Sequence, residues 1–90
     1  MARGQFSDHY YLGAFLGNDA LSEMRICHSA NNYDSTKSLV KIVSKMKLNK
    51  LERQFFQVEL SIIKQLKLPG IAEIIDLFED DRNYFIVSEH

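Results

Sequence analysis

Apolar and polar positions along the chain change period once, and that change divides the chain into elements. From Tyr10 to Phe15 aromatic and aliphatic residues follow one another, a composition that suits a β-strand. The run gives way at Gly17-Asn18-Asp19, a strong turn signal. Glu23 to Ser29 reads as the return strand, with Met24 and Ile26 on one face and Arg25 and Cys27 on the other. The polar stretch Ala30 to Thr36 predicts a loop, and Lys37 to Ser44, rich in β-branched and aliphatic residues, predicts a third strand. The period then becomes helical: Leu51, Phe55, Val58, Ile62 and Leu66 recur at helix spacing. A helix over Leu51 to Leu66 runs about four turns and stops before Leu68-Pro69-Gly70, where Pro and Gly together end it. Two more apolar runs, Ile71 to Phe78 and Tyr84 to Ser88, flank the polar gap Glu79-Asp80-Asp81-Arg82-Asn83, which has hairpin length.

The order is three strands, one helix, two strands. The economical solution is an α+β fold: a five-stranded antiparallel sheet with one main helix between strands 3 and 4. Ninety residues allow one small domain or part of a larger one. Composition narrows the function classes only a little. A net charge of −1 gives no basic face for nucleic acid, and no apolar run reaches membrane-spanning length. The lone Cys27 cannot pair within the chain, which favours a reducing, cytoplasmic setting. His9, His28 and His90 are scattered and show no ligand spacing, so no metal site is expected.

Two charges stand in awkward places. Glu59 falls on the predicted apolar stripe, four residues after Phe55 and three before Ile62. Lys41 sits mid-strand between Val40 and Ile42, on the face of Leu39 and Val43. An unpaired carboxylate facing a sheet is costly, so Glu59 either meets Lys41 or reaches solvent at the rim while Lys41 snorkels.

Five features in register then resemble the N-terminal lobe of a protein kinase, from about Phe6 to the end of the chain. They are Leu16-Gly17; Leu39-Val40-Lys41; Glu59; Leu68-Pro69-Gly70-Ile71; and the run Phe78 to Glu89. The likeness is nearest to calcium-dependent and calmodulin-dependent Ser/Thr kinases, through Tyr10-Tyr11-Leu12-Gly13 and the FEDDRNY stretch. The resemblance implies an N-terminal extension over 1–9 and a kinase N lobe over 10–90 that stops at the hinge. It implies that Lys41 contacts the ATP phosphates and pairs with Glu59, so that the carboxylate holds a flexible lysine stem in place. Ser88 matches the gatekeeper and Glu89 the first hinge residue. Leu16, Gly17, Met24 and Leu39 match positions around the nucleotide, and Ile63 and Ile74 match the N-lobe members of the hydrophobic stack.

The chain departs from the family pattern at the glycine-rich loop. Where the family has G-x-G-x-x-G-x-V, this chain has Gly17, Asn18, Asp19, Ala20, Leu21, Ser22, Glu23 and Met24. Asp19 brings negative charge toward the phosphates, while Leu39 replaces the usual small alanine and Met24 the usual valine. Two outcomes stay open: a nucleotide site impaired by like charge and overpacking, or a divergent loop with binding kept through Lys41. The catalytic-loop and D-F-G motifs belong to a C lobe outside this chain, so the resemblance implies no phosphoryl transfer by these residues alone, and Mg²⁺ only through that lobe. The expected partners are ATP, bound weakly or not at all, the missing C lobe, and a second copy meeting an apolar surface around Leu39, Val87 and Ile63. A kinase fold kept as a pseudokinase binding or scaffold module is the rival reading. A free-standing α+β interaction domain is the third.

Overall fold

The computed structural model describes residues 5–30, 37–65 (the side chains of 63 and 64 excepted) and 73–89. A one-turn helix α1 (Phe6–His9) leads into β1 (Tyr10–Asn18), β2 (Ser22–Ser29) and β3 (Lys37–Ser44). A 3₁₀ turn (Lys45–Lys47) and the helix α2 (Lys50–Gln65) follow, then β4 (Ile74–Glu79) and β5 (Asn83–Glu89). The strands form one antiparallel sheet in the order β1-β2-β3-β5-β4. The helical connection lets β4 take the outer edge and β5 return beside β3. This is the predicted α+β arrangement, with the main helix between the third and fourth strands. The helix stop at Leu68-Pro69-Gly70, the polar loop over 31–36 and the Ile63 side chain lie outside the described residues.

Alternation along β3 builds two apolar layers. Val40 and Ile42 face one side, where they cluster with Phe6, Cys27, Phe78 and Val87, and Tyr10 and Phe85 pack against them. The Phe6 ring stacks on Phe85 at 4.7 Å and on Tyr10 at 5.4 Å, and meets Phe78 edge-on at 5.9 Å. One buried ring thus draws the residues ahead of β1 into the core. Val43 faces the other side and clusters with Leu48 and Tyr84, joined by Phe56 of α2 and by Ile86.

Helix α2 starts at a reciprocal cap. The Glu52 N–H donates to Asn49 Oδ1 at 2.8 Å, and the Asn49 N–H donates to Glu52 Oε1 at 2.9 Å. The face it turns to the sheet differs from the predicted stripe. Leu60 is buried, at 4% exposure, and the Phe56 ring lies 5.0 Å from that of Tyr84, whereas Leu51, Phe55, Val58 and Ile62 are exposed. The helix carries two apolar rows, and periodicity alone ranked the longer one first. Tertiary partners select the shorter: Tyr84 receives Phe56, while Gln57 donates to Glu79 Oε2 at 3.5 Å and Arg53 Nε to the Lys45 carbonyl at 3.1 Å.

The expected sticky surface is also corrected in part. Val87 lies opposite Val40 on the far side of the sheet and is fully buried, and Leu39 is half-buried. The large apolar side chains that stand exposed on the helix are instead Leu51, Phe55, Val58 and Ile62.

Candidate functional site

Strand register assembles most of the residues singled out in the sequence. Met24 pairs with Lys41 across β2–β3, and Leu39 pairs with Ser88 across β3–β5. Directly paired residues share a face, as do Leu39 and Lys41 two apart on one strand. Met24, Leu39, Lys41 and Ser88 therefore stand on the same side of the sheet, the side α2 covers at its other end. Gly17 pairs with Met24. A cavity of about 230 Å³ lies between the β1–β2 turn and the sheet, lined by Gly17, Asn18, Asp19, Ser22, Met24 and Lys41. A Cβ added to Gly17 would meet nothing within 4 Å, so the space above this glycine is open.

Leu16, Glu89 and Ile74 do not line that cavity. Leu16 is exposed on β1. Glu89 ends β5, where its N–H donates to the Glu73 carbonyl at 3.1 Å and its Oε1 accepts from the Glu73 N–H at 3.2 Å. Ile74 pairs with Ser88 at the sheet edge.

The Lys41–Glu59 ion pair is not formed in this structure. Among the described residues the ion pairs are Arg25–Glu23 and Lys45–Glu79, both at 2.8 Å, and Lys41 and Glu59 are exposed. The cause is the choice of buried face on α2 described above. With Phe56 on Tyr84 and Leu60 buried, Glu59, about 100° around the helix from Leu60, turns to solvent. The cation that α2's side of the sheet does engage is Lys45. Its Nζ meets Glu79 and lies 4.8 Å from the centre of the Tyr84 ring. The sequence reading missed this pair, because nothing in the spacing of residues 45 and 79 marks it.

The β1–β2 turn is closed by Asp19. Its Oδ1 accepts from the Leu21 N–H at 2.9 Å, the Ser22 N–H at 2.8 Å and the Ser22 hydroxyl at 3.0 Å. The Asp19 N–H donates back to the Ser22 carbonyl at 2.9 Å. Those donors hold the Asp19 carboxyl below the usual range, and the charge of Lys41 adds to the effect. The β4–β5 turn is built the same way: Asp80 Oδ1 accepts from the N–H groups of Arg82 and Asn83 at 2.8 and 2.7 Å, and the Asp80 N–H donates to the Asn83 carbonyl at 3.0 Å. The shared signal, an aspartate three residues before Ser or Asn, was present in the sequence at both places.

Two groups on the opposite face titrate abnormally. Burial pushes the Cys27 thiol up to about 11. Burial, reinforced by the bond from its hydroxyl to Asp76 Oδ2 at 2.7 Å, pushes the Tyr10 phenol well above its usual value. Both are core groups and lie away from the cavity. Among the described residues no helix is long and apolar enough to cross a membrane.

No family model matches the chain. Among curated proteins, it is similar to the serine/threonine-protein kinase cds1 of Schizosaccharomyces pombe, 28% identical over 89 residues. The match takes in 93% of this chain and 19% of the relative, so the chain spans a minor part of the relative's length. Taken with the five-stranded antiparallel sheet and its helix between the third and fourth strands, this similarity fits the N-terminal lobe of a Ser/Thr protein kinase.

Proposed function

We propose that this chain is the adenine-nucleotide-binding half of a Ser/Thr protein kinase of the calcium-dependent type, with catalysis dependent on a C lobe. The observation that carries the reading is the register that sets Met24 against Lys41 and Leu39 against Ser88 on one face, beside a cavity reaching Gly17. Leu39 and Met24 offer apolar surface to a base, Ser88 and the Glu89 backbone its polar edge, and Lys41 a cation for phosphate. The calcium-dependent type rests on Tyr10-Tyr11-Leu12-Gly13 and on the FEDDRNY stretch. Pairing of Lys41 with Glu59 belongs to a second arrangement of α2, rotated so that Glu59 faces the sheet. The exposed row Leu51, Phe55, Val58 and Ile62 is the surface through which the helix meets the C lobe or a second copy.

Photolabelling with an azidoadenosine tests the reading. Crosslinks within β2, β3 or β5 at the Met24, Leu39 and Ser88 positions are expected. Labelling confined to the opposite face, around Phe6 and Tyr10, would remove it. The rival pseudokinase reading is favoured by the Asp19 contacts and by the unpaired arrangement of Lys41 and Glu59. Full phosphotransfer activity in a longer chain containing these residues would exclude that rival.

A further inference from the structure

The turn that borders the cavity already holds an anion of its own. Backbone N–H groups at a tight turn are the donors through which a loop receives phosphate. In this turn the N–H groups of Leu21 and Ser22 and the Ser22 hydroxyl all donate to one carboxylate oxygen of Asp19. The same closure at Asp80, which borders a different hairpin, shows that the arrangement is a self-sufficient turn needing no ligand to complete it.

A phosphate arriving in this cavity meets both Ser22 donors already engaged and a negative charge beside Lys41, the cation it would use. The base-facing positions Met24, Leu39 and Ser88 are untouched by these bonds. We infer that Asp19 is a specificity-determining residue that occupies the anion-binding groups of the β1–β2 turn, so that the face takes a nucleoside in preference to a nucleoside triphosphate. The inference rests on the nucleoside-binding part of the reading proposed above and favours its pseudokinase rival, because a site that rejects the triphosphate cannot supply phosphoryl transfer.

The test compares adenosine, ATP and inorganic tripolyphosphate as ligands of the 90-residue chain and of two variants, by amide-shift titration. Asp19→Gly frees the donors and removes the charge. Asp19→Asn removes the charge but leaves an oxygen able to accept the same bonds, and so preserves the turn. In the unaltered chain ATP is expected to bind no more tightly than adenosine, with the Leu21 and Ser22 amides unmoved by tripolyphosphate. Asp19→Gly should tighten ATP by about tenfold, the worth of two or so recovered hydrogen bonds, while adenosine changes by less than about twofold. Asp19→Asn should recover less than Asp19→Gly does.

Three results would overturn the inference in distinguishable ways. If ATP binds the unaltered chain more tightly than adenosine and shifts the Leu21 and Ser22 amides, the donors are available and Asp19 does not guard them. If Asp19→Asn gains as much ATP affinity as Asp19→Gly, charge alone decides and occupancy of the donors does not. If neither adenosine nor ATP binds any of the three proteins, the nucleotide reading itself fails and the inference goes with it.

Discussion

The Asp19 carboxylate accepts both the backbone N–H and the side-chain hydroxyl of Ser22, at 2.8 and 3.0 Å. This contact closes the segment between β1 and β2 into a hairpin turn. Its consequence for acid stability has a definite sign. The folded-state pKa of Asp19 lies below its unfolded value, so its stabilising contribution is present above the unfolded value of about 3.9. That contribution is lost as pH falls through the folded value. Carboxyl-carbon NMR should place the Asp19 midpoint below the ordinary range, and Asp19→Asn should remove that part of the acid dependence. A midpoint at or above the ordinary value would contradict the turn geometry.

Docking of α2 through Phe56 and Leu60 separates two rows of apolar residues that look alike in the sequence. Leu60→Ala removes a side chain that is 4% exposed and should cost about 2–4 kcal/mol. Phe55→Ala, at 65% exposure, should change stability by less than about 0.5 kcal/mol. Urea denaturation of the two variants measures both. The opposite ranking would mean that the helix packs through the longer row.

Lys45 is more structural than Lys41. It bonds Glu79 and covers the Tyr84 ring, and its side chain is 14% exposed. Lys45→Ala should therefore cost about 1–2 kcal/mol, through a lost part-buried pair and lost stem packing. Lys41→Ala, at an exposed position, should leave stability within about 0.5 kcal/mol of the parent. Equal losses would show that Lys41 has a packing role that the structure does not give it.

Much of the fold was legible because strands and turns announce themselves locally. The alternation around Cys27 and Lys41, the Glu79–Asn83 gap and a helix, read as Leu51 to Leu66 and found as Lys50–Gln65, all followed from period and turn chemistry. The common face of Leu39 and Lys41 followed in the same way, whereas Met24 joins it through the β2–β3 register. What was not legible depended on tertiary choice. Phe55 and Phe56 are neighbours, and either could lead the buried row. Only Tyr84, distant in sequence, decides between them. Glu59 inherits its solvent exposure from that choice. Val87 was expected at a surface, but pairing opposite Val40 places it in the inner layer. The Asp19 closure was legible in principle, since Asp80 repeats the spacing. The segment's likeness to a glycine pattern masks it, since against that pattern Asp19 stands out only for its charge.

Alkaline pH should weaken the fold from the opposite face of the sheet. The Cys27 thiol, raised to about 11, and the Tyr10 phenol, raised by burial and its bond to Asp76, keep protons in the folded state that the unfolded chain releases. For groups raised in this way the contribution is complete below the unfolded values, about 8.5 for Cys and 10 for Tyr. It is lost as pH rises through the folded ones. Urea midpoints should fall between pH 8 and pH 10.5, and Tyr10→Phe should flatten part of the decline above pH 10. Rapid alkylation of Cys27 in the native chain at pH 8 would contradict its burial.

The central claim is that the face carrying Met24, Leu39, Lys41 and Ser88 receives an adenine nucleoside. The most direct measurement is an amide-shift map of the ¹⁵N-labelled chain on addition of adenosine, with Leu39→Phe as a variant that fills the base-facing surface. The account predicts saturable shifts centred on Met24, Leu39 and Ser88, reaching Gly17 and weakened by Leu39→Phe. Saturable shifts centred instead on Phe6, Tyr10 and Phe85, or no shifts at saturating adenosine, would contradict it.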